Sequence, residues 1–295
     1  MITCRFMPSM AKRTALLGAG AISLLLGLVA AWAADAPSPG ILTTVMVRVV
    51  GNRAMVLGDA VGGAAVTIKD LATGAVLASG VQTGSGGDLR SIMMTPRQQH
   101  EQIYSLKGAA SFTATLTLLK PTLVEITGEG PLKFPRAKRR ASKTVLLYPG
   151  KHVTGDGIVL DINGLIVQIV SPTPDRPLGI GDGVTIRTTV NMMCDCIVEP
   201  FGNWDSRMME LYGEVRVDDT VIGHVEFFHQ GPKGIFQGDY TIPKWLKGKD
   251  RLTLRVVASD AEGINVGYDE ITYPLVPWEQ SRDATGREIP PLKTP

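Results

Sequence analysis

From residue 41 onward the chain alternates apolar and polar side chains with a period of two. In 111–118, Phe112, Ala114, Leu116 and Leu118 share one face, while Ser111, Thr113, Thr115 and Thr117 share the other. A strand sends successive side chains to opposite faces, so this pattern predicts a strand buried on one side. Comparable runs occur at 44–50, 64–70, 75–82, 122–127, 143–148, 157–162 and 164–170. A second set follows at 184–196, 208–217, 221–229, 236–241, 252–258 and 268–275. No window keeps a helical period. Asn52, Gly62-Gly63, Gly74, Pro121 and Gly155-Asp156-Gly157 punctuate the runs as turn residues. Short strands joined by Gly/Pro turns predict an all-β chain of antiparallel β-sandwiches.

The strongest break lies in Ser171-Pro172-Thr173-Pro174-Asp175-Arg176-Pro177. Three closely spaced prolines cannot continue a central strand and make a stiff spacer. The reading is therefore two sandwiches in tandem, 41–171 and 178–276, joined by a linker at 172–177. Residues 34–40 form a short entry linker, and the polar, proline-rich stretch 277–295 reads as a disordered tail. In the first half, Ala65-Val66-Thr67-Ile68-Lys69-Asp70 followed by Thr73-Gly74-Ala75-Val76-Leu77-Ala78 resembles the strand–turn–strand of transthyretin-like or carboxypeptidase-regulatory sandwiches. In the second half, Leu252 to Asp260, with Gly263, Asn265 and Gly267, resembles the penultimate strand and turn of bacterial immunoglobulin-like domains. Both resemblances imply binding or spacer modules and neither brings catalytic residues; a fold alone does not fix a function.

Residues 1–33 read as an export signal. Lys12 and Arg13 form a positive start, an apolar run extends from Thr14 to Ala30, and Ala31-Trp32-Ala33 supplies a small-x-small cleavage pattern. The rival reading is an uncleaved anchor, since the apolar run approaches the length needed to span a bilayer. The leader distorts the totals. The chain has 295 residues with 30 Lys+Arg, 28 Asp+Glu and net charge +2; losing Arg5, Lys12 and Arg13 brings the net to −1. Cys4 leaves as well, so three cysteines become the pair Cys194 and Cys196. An even pair in an exported chain fits an oxidising compartment, periplasmic or secreted. An apolar share of 44% is too high for a disordered protein.

The informative segment for chemistry is Val184 to Cys196. If the strand keeps its period, Met192, Cys194 and Cys196 face inward and Asp195 outward. A hairpin turning at Asp218-Asp219-Thr220 would set 217 against 221 and Met209 against His229. Cys194, Cys196, Met192, Met209 and His229 would then meet at one pole, provided the register does not slip. Thiolate, thioether and imidazole donors suit copper, especially Cu(I). The alternatives are a structural disulfide or core thiols, and a redox or intermolecular disulfide. A Cys-x-Cys bridge needs a local turn, because an extended strand holds the two Cα atoms at the edge of the permitted range.

Pro200, Phe201 and Trp204 lie on the loop that follows and are the expected contact surface, with Trp204 alternatively a plug over the sandwich end. The basic run Lys133 to Lys143 reads as a solvated loop or a contact for an anionic envelope surface. Nucleic acid is not an expected partner, because a single Phe accompanies that run. Gly84-Ser85-Gly86-Gly87 lacks the Lys-Ser/Thr pair of a phosphate loop and reads as a hairpin loop before a strand at Asp88. No His-Glu-x-x-His or Gly-x-Ser-x-Gly occurs. The chain is thus expected to be an exported, non-catalytic binding protein partnered by an envelope protein or cell-surface component. Its membrane contact is expected to be peripheral, or through an uncleaved leader. A copper-binding protein is the competing reading.

Overall fold

In the computed structural model, which describes residues 39–105, 108–231 and 234–277, the alternating runs become strands. The expected leader and tail lie outside the described residues. The first sandwich uses β1 (Ile41–Gly51), β2 (Ala64–Asp70), β3 (Val76–Gln82), β4 (Phe112–Leu118), β5 (Thr122–Gly130), β6 (Arg139–Leu147) and β7 (Val153–Ile162). Its sheets have the orders β4-β1-β7 and β3-β2-β5-β6; β1 and β7 run parallel and the other pairs antiparallel. Val45, Val47 and Val49 of β1 face Val66, Ile68, Val124 and Ile126 across the core. Period-two burial is what fixes this register, since a one-residue slip would turn every valine outward.

Gln82 is a buried polar residue fully used by the backbone. It accepts from Val49 N–H at 2.7 Å and donates to the carbonyls of Val49 and Leu57 at 2.9 and 2.8 Å. The segment after Gly84-Ser85-Gly86-Gly87 is not a strand. It is a long excursion between β3 and β4 with a π-helical turn at Arg90–Met94. Ile92, Ile103 and Tyr104 pack with Val50, Val56 and Ala110 in a small third core, and the Asp156 carboxylate accepts both the Ile103 and Tyr104 N–H groups. The basic run is also more ordered than a free loop. Its second half is β6, Lys138 pairs with Glu129, and Arg136 pairs with Asp269.

The second sandwich contains β8 (Leu165–Ser171), β9 (Leu178–Ile180), β10 (Gly183–Met192), β11 (Met209–Val217), β12 (Thr220–Glu226), β13 (Phe228–His229), β14 (Ile235–Thr241), β15 (Arg251–Asp260) and β16 (Val266–Pro277). The sheets are β13-β14-β10-β8 and β12-β11-β15-β16-β9. This is the two-sheet order of an immunoglobulin-like domain, with its first strand divided between the sheets. β8 pairs antiparallel with β10, and β9 pairs parallel with β16.

That division corrects the linker at 172–177. The prolines do not separate two domains; they carry the first strand of the second sandwich from one sheet to the other. β8, expected in the first sandwich, belongs to the second. Proline suits this place because a strand changing sheets has no continuous ladder to donate to. The crossover is anchored from inside, where the fully buried Tyr273 donates its Oη–H to Pro172 O at 2.8 Å.

The true passage between sandwiches is Asn163–Gly164, two residues between β7 and β8. It is locked by Asn265, which is 1% exposed. Asn265 Oδ1 accepts the Gly164 N–H at 3.0 Å, and its Nδ2 donates to Asn52 Oδ1 at 3.2 Å and Asp260 Oδ2 at 2.9 Å. Arg53 pairs with Glu262 across the same waist. Both sandwiches lie in one compact unit beginning at Pro39, and their cores are built from residues between Val45 and Leu275.

Candidate functional site

β10 stops at Met192, not at Cys196 as the alternation suggested. The chain reverses there. Asp195 N–H donates to Met192 O at 2.9 Å, Met192 N–H donates to Cys196 O at 2.8 Å, and Asn191 then faces Ile197. The reversal needs a left-handed residue, and Asp195 takes it at φ 65°; Asp tolerates that region better than most residues. Asn191 Nδ2 steadies it by donating to Asp195 Oδ1 at 2.7 Å. The turn brings the Cys194 and Cys196 Cα atoms to 5.2 Å with their sulphurs at bonding distance. That separation lies within the usual disulfide range, which the extended strand would not have reached comfortably.

The turn also divides the two methionines. Met192 and Cys194 are buried in the second core, with Cys196, Met209 and Trp204 packed against it. Met193, which an unbroken strand would turn outward, is 1% exposed and belongs to the first core, as does Ile166. Leaving the strand geometry at residue 193 frees its side chain from the outward face and inserts it into the neighbouring sandwich. The cysteine pole is therefore the waist of the molecule rather than a free end.

His229 does not join this group. β12 ends at Glu226 and turns out of its sheet, so Met209 faces Asp260, while His229 on β13 faces Phe236 of β14. Phe236 in turn faces Thr188, four residues before Met192 on β10. The imidazole packs edge-on against Phe236 at 5.5 Å, and its buried Nε2 has no hydrogen-bond partner. Val217 faces Thr220, not Val221, because a bulge between Val215 and Arg216 shifts the register. Among the described residues no group of three or more His, Cys, Asp or Glu side chains is arranged to hold a metal ion.

The next loop is built as a tight excursion. Glu199 N–H donates to Trp204 O at 3.1 Å and Ser206 N–H donates to Glu199 O at 3.2 Å, which closes the loop at its base. Pro200 is half-buried there. Trp204 is also half-buried, and its Nε1–H donates to Arg53 O at 2.9 Å. Trp204 is thus an anchor, but for the chain's own first sandwich. Phe201 is the opposite case. It sits at φ 61° and is 79% exposed. The Arg207 guanidinium lies 3.7 Å from its ring centroid, a cation–π contact. Arg207 Nε donates to both Asp205 carboxylate oxygens at 3.0 Å. This hydrogen bonding, helped by the Arg207 N–H, holds the Asp205 carboxyl far below the usual carboxylate range and raises Arg207. The sequence reading missed Arg207. Its signal was the Asp-x-Arg spacing at 205–207, which lets one arginine grip a carboxylate and still reach over the loop.

No protein-family model and no curated protein matches the chain. Among solved structures, it is similar to fibronectin(III)-like modules of Clostridium thermocellum CbhA, at 10% identity and TM-score 0.27, covering 82% of this chain and 98% of that one. A DUF3823 family protein from Bacteroides ovatus aligns at 11% identity and TM-score 0.30, covering 79% and 98%. A tandem pair of titin immunoglobulin domains aligns at 7% identity and TM-score 0.25, covering 81% and 99%. The second sandwich shows its immunoglobulin-like order in its own strand pairing and register.

Proposed function

We propose that the protein is an exported, non-catalytic interaction module of the periplasm or cell envelope, and that it engages an envelope protein or cell-surface component through the 199–208 loop. The observation that carries this reading is the presented Phe201. A large aromatic held out in solvent, with its backbone closed below it and an arginine fixed against its face, has the composition of an interface anchor. Because Asp205 already holds Arg207, little side-chain freedom remains to be lost on binding. Export is supported by the leader and by the paired cysteines. The test is photo-crosslinking in cells from position 201, with position 224 on β12 as control. An adduct specific to 201 that disappears on Arg207→Ala, with the fold unchanged, supports the reading. Equal labelling from 201 and 224 overturns it.

A second reading, copper held by reduced Cys194 and Cys196 with Met192 and Met209, draws support from one observation: these four side chains share one end of the second core. His229 contributes nothing to it. Elemental analysis of the purified protein before and after reduction, with the Cys194→Ser, Cys196→Ser variant as control, separates the two readings.

A further inference from the structure

The far end of the first sandwich, opposite the waist, is unusually apolar. The starts of β1, β3, β5 and β7 and the ends of β2, β4 and β6 meet there, as the register shows. Ile41 faces Leu118, Asp70 faces Val124, Lys69 faces Val76, and Thr122 faces Leu147. Leu42, Leu71, Leu119, Leu123, Leu146 and Tyr148 are all exposed at this end, Leu119 by 70% and Leu146 by 61%. Leu123 and Leu146 are direct cross-strand partners, and Leu71 N–H donates to Leu123 O, so three of the leucines form one row. They sit on tips and sheet ends rather than in a groove, which is the wrong shape for a peptide. So many exposed large apolar side chains at one end mark an interaction site.

Two further features say what covers it. The described chain enters at Pro39–Gly40, directly before Ile41, so the pole is where the fold joins the N-terminal segment whose run from Thr14 to Ala30 is apolar. Exposed Lys69, at the end of β2, Lys120, next to Leu119, and Lys151, just before β7, lie at the same end. The acidic groups at the same end are Asp70, whose carboxylate accepts the Ala72 N–H and is held ionised by it, and Glu125, the cross-strand partner of Lys69; three lysines against two carboxylates leave a net charge of +1 there. Exposed leucines, a tyrosine and lysines with long apolar stems, gathered at one end, are the side chains that suit a bilayer interface.

We propose that this pole is a lipid-facing surface. It rests on a bilayer with anionic headgroups, its leucines entering the interfacial layer and Lys69, Lys120 and Lys151 lying among the headgroups. The proposal goes beyond the interaction reading and does not depend on Phe201.

The test is co-sedimentation of the chain beginning at Ala34, which keeps every residue of both cores, with vesicles of phosphatidylcholine alone or mixed with phosphatidylglycerol. Binding to the mixed vesicles is expected to weaken with salt. Leu119→Ser with Leu146→Ser should lower partitioning by about tenfold or more, and Lys69→Gln, Lys120→Gln and Lys151→Gln should remove most of the salt dependence. Phe201→Ala should bind vesicles like the parent. Far-UV dichroism and thermal unfolding establish that the variants are folded, which is expected because both leucines lie outside the core. Failure of the parent to bind mixed vesicles, or unchanged binding of the leucine variant, overturns the proposal. Self-association that the leucine variant abolishes, without vesicle binding, overturns it in favour of a second copy of the chain.

Discussion

Replacing Asn265 by Ala tests whether the two sandwiches are joined as one body by the waist described above. The substitution removes three hydrogen bonds. The Gly164 N–H is the costly loss, because its bond to Asn265 is buried. An unsatisfied buried donor costs about 1–3 kcal/mol, and the two part-buried bonds to Asn52 and Asp260 add about 0.5–1 kcal/mol each. The total is about 2–5 kcal/mol. For a folded unit of this size each kcal/mol lowers the melting temperature by about 2–4 °C, which gives a fall of about 4–20 °C. Differential scanning calorimetry of the parent and variant measures it. A single transition in the parent that broadens or splits in the variant shows that the same contact couples the sandwiches. Arg53→Ala serves as the control: it removes an exposed ion pair at the same waist and should shift nothing measurable. An Asn265→Ala shift below about 2 °C would falsify the assignment of Asn265 as the lock.

Two other perturbations follow from the second sandwich. Intact mass of the oxidised protein should fall below the reduced value by two hydrogens, and Cys194→Ser with Cys196→Ser should destabilise by only about 1–2 kcal/mol, since the closed loop is very short. Loss of folding in that variant would contradict a local clamp. Burial, with a smaller push from the Asp269 charge, drives the Tyr273 hydroxyl well above its ordinary range, and burial also raises Tyr240. The folded state therefore favours the neutral phenol, so its contribution is complete below about pH 10 and is lost as the pH rises beyond that. Tyr273→Phe should lower stability by about 1–2 kcal/mol at neutral pH and reduce the alkaline fall in melting temperature; an unchanged alkaline fall would refute the linkage.

What the sequence disclosed and what it hid divide along a physical line. Strand positions were legible because burial on one face writes period two directly into the residues, as in Val45, Val47 and Val49 or Val184 and Ile186. Where the chain leaves one sheet for another, the period carries no notice of it. Val225, Phe227 and His229 keep perfect alternation, yet the chain departs the β11 ladder after Glu226 and His229 ends in the opposite sheet. The Pro172–Pro177 segment hides its role for the same reason, since a linker and a sheet-changing strand both need residues that refuse a ladder. Period two puts Met193 at the surface only if the strand runs on through Cys196. The left-handed Asp195 ends it, and nothing in Cys-Asp-Cys distinguishes a turning from an extended backbone. Phe201 and Trp204 read alike as loop aromatics. Only the position of Arg53 from the first sandwich decides that one is covered and the other is presented.

The register of β1 connects the two proposed surfaces. Its first residue, Ile41, lies at the apolar pole, while its last, Gly51, faces Ile162 and reaches the waist. Eleven residues at about 3.3 Å each make a strand of about 35 Å, which sets the depth of the first sandwich between pole and waist. Trp204 fixes the 199–208 loop to the waist through Arg53, so Phe201 stands roughly that far above whatever covers the pole. A bilayer at the pole would therefore leave Phe201 clear of the headgroups and open to a partner. The short, hydrogen-bonded Asn163–Gly164 passage keeps that height constant, where a flexible linker would let the second sandwich fold down toward the surface. The Asn265 lock then has a functional consequence beyond stability. Asn265→Ala should leave vesicle binding intact and broaden the set of partners cross-linked from position 201, whereas the leucine variant should do the reverse. If both variants altered both readouts together, the two surfaces would not be independent and the first sandwich would not be acting as a spacer.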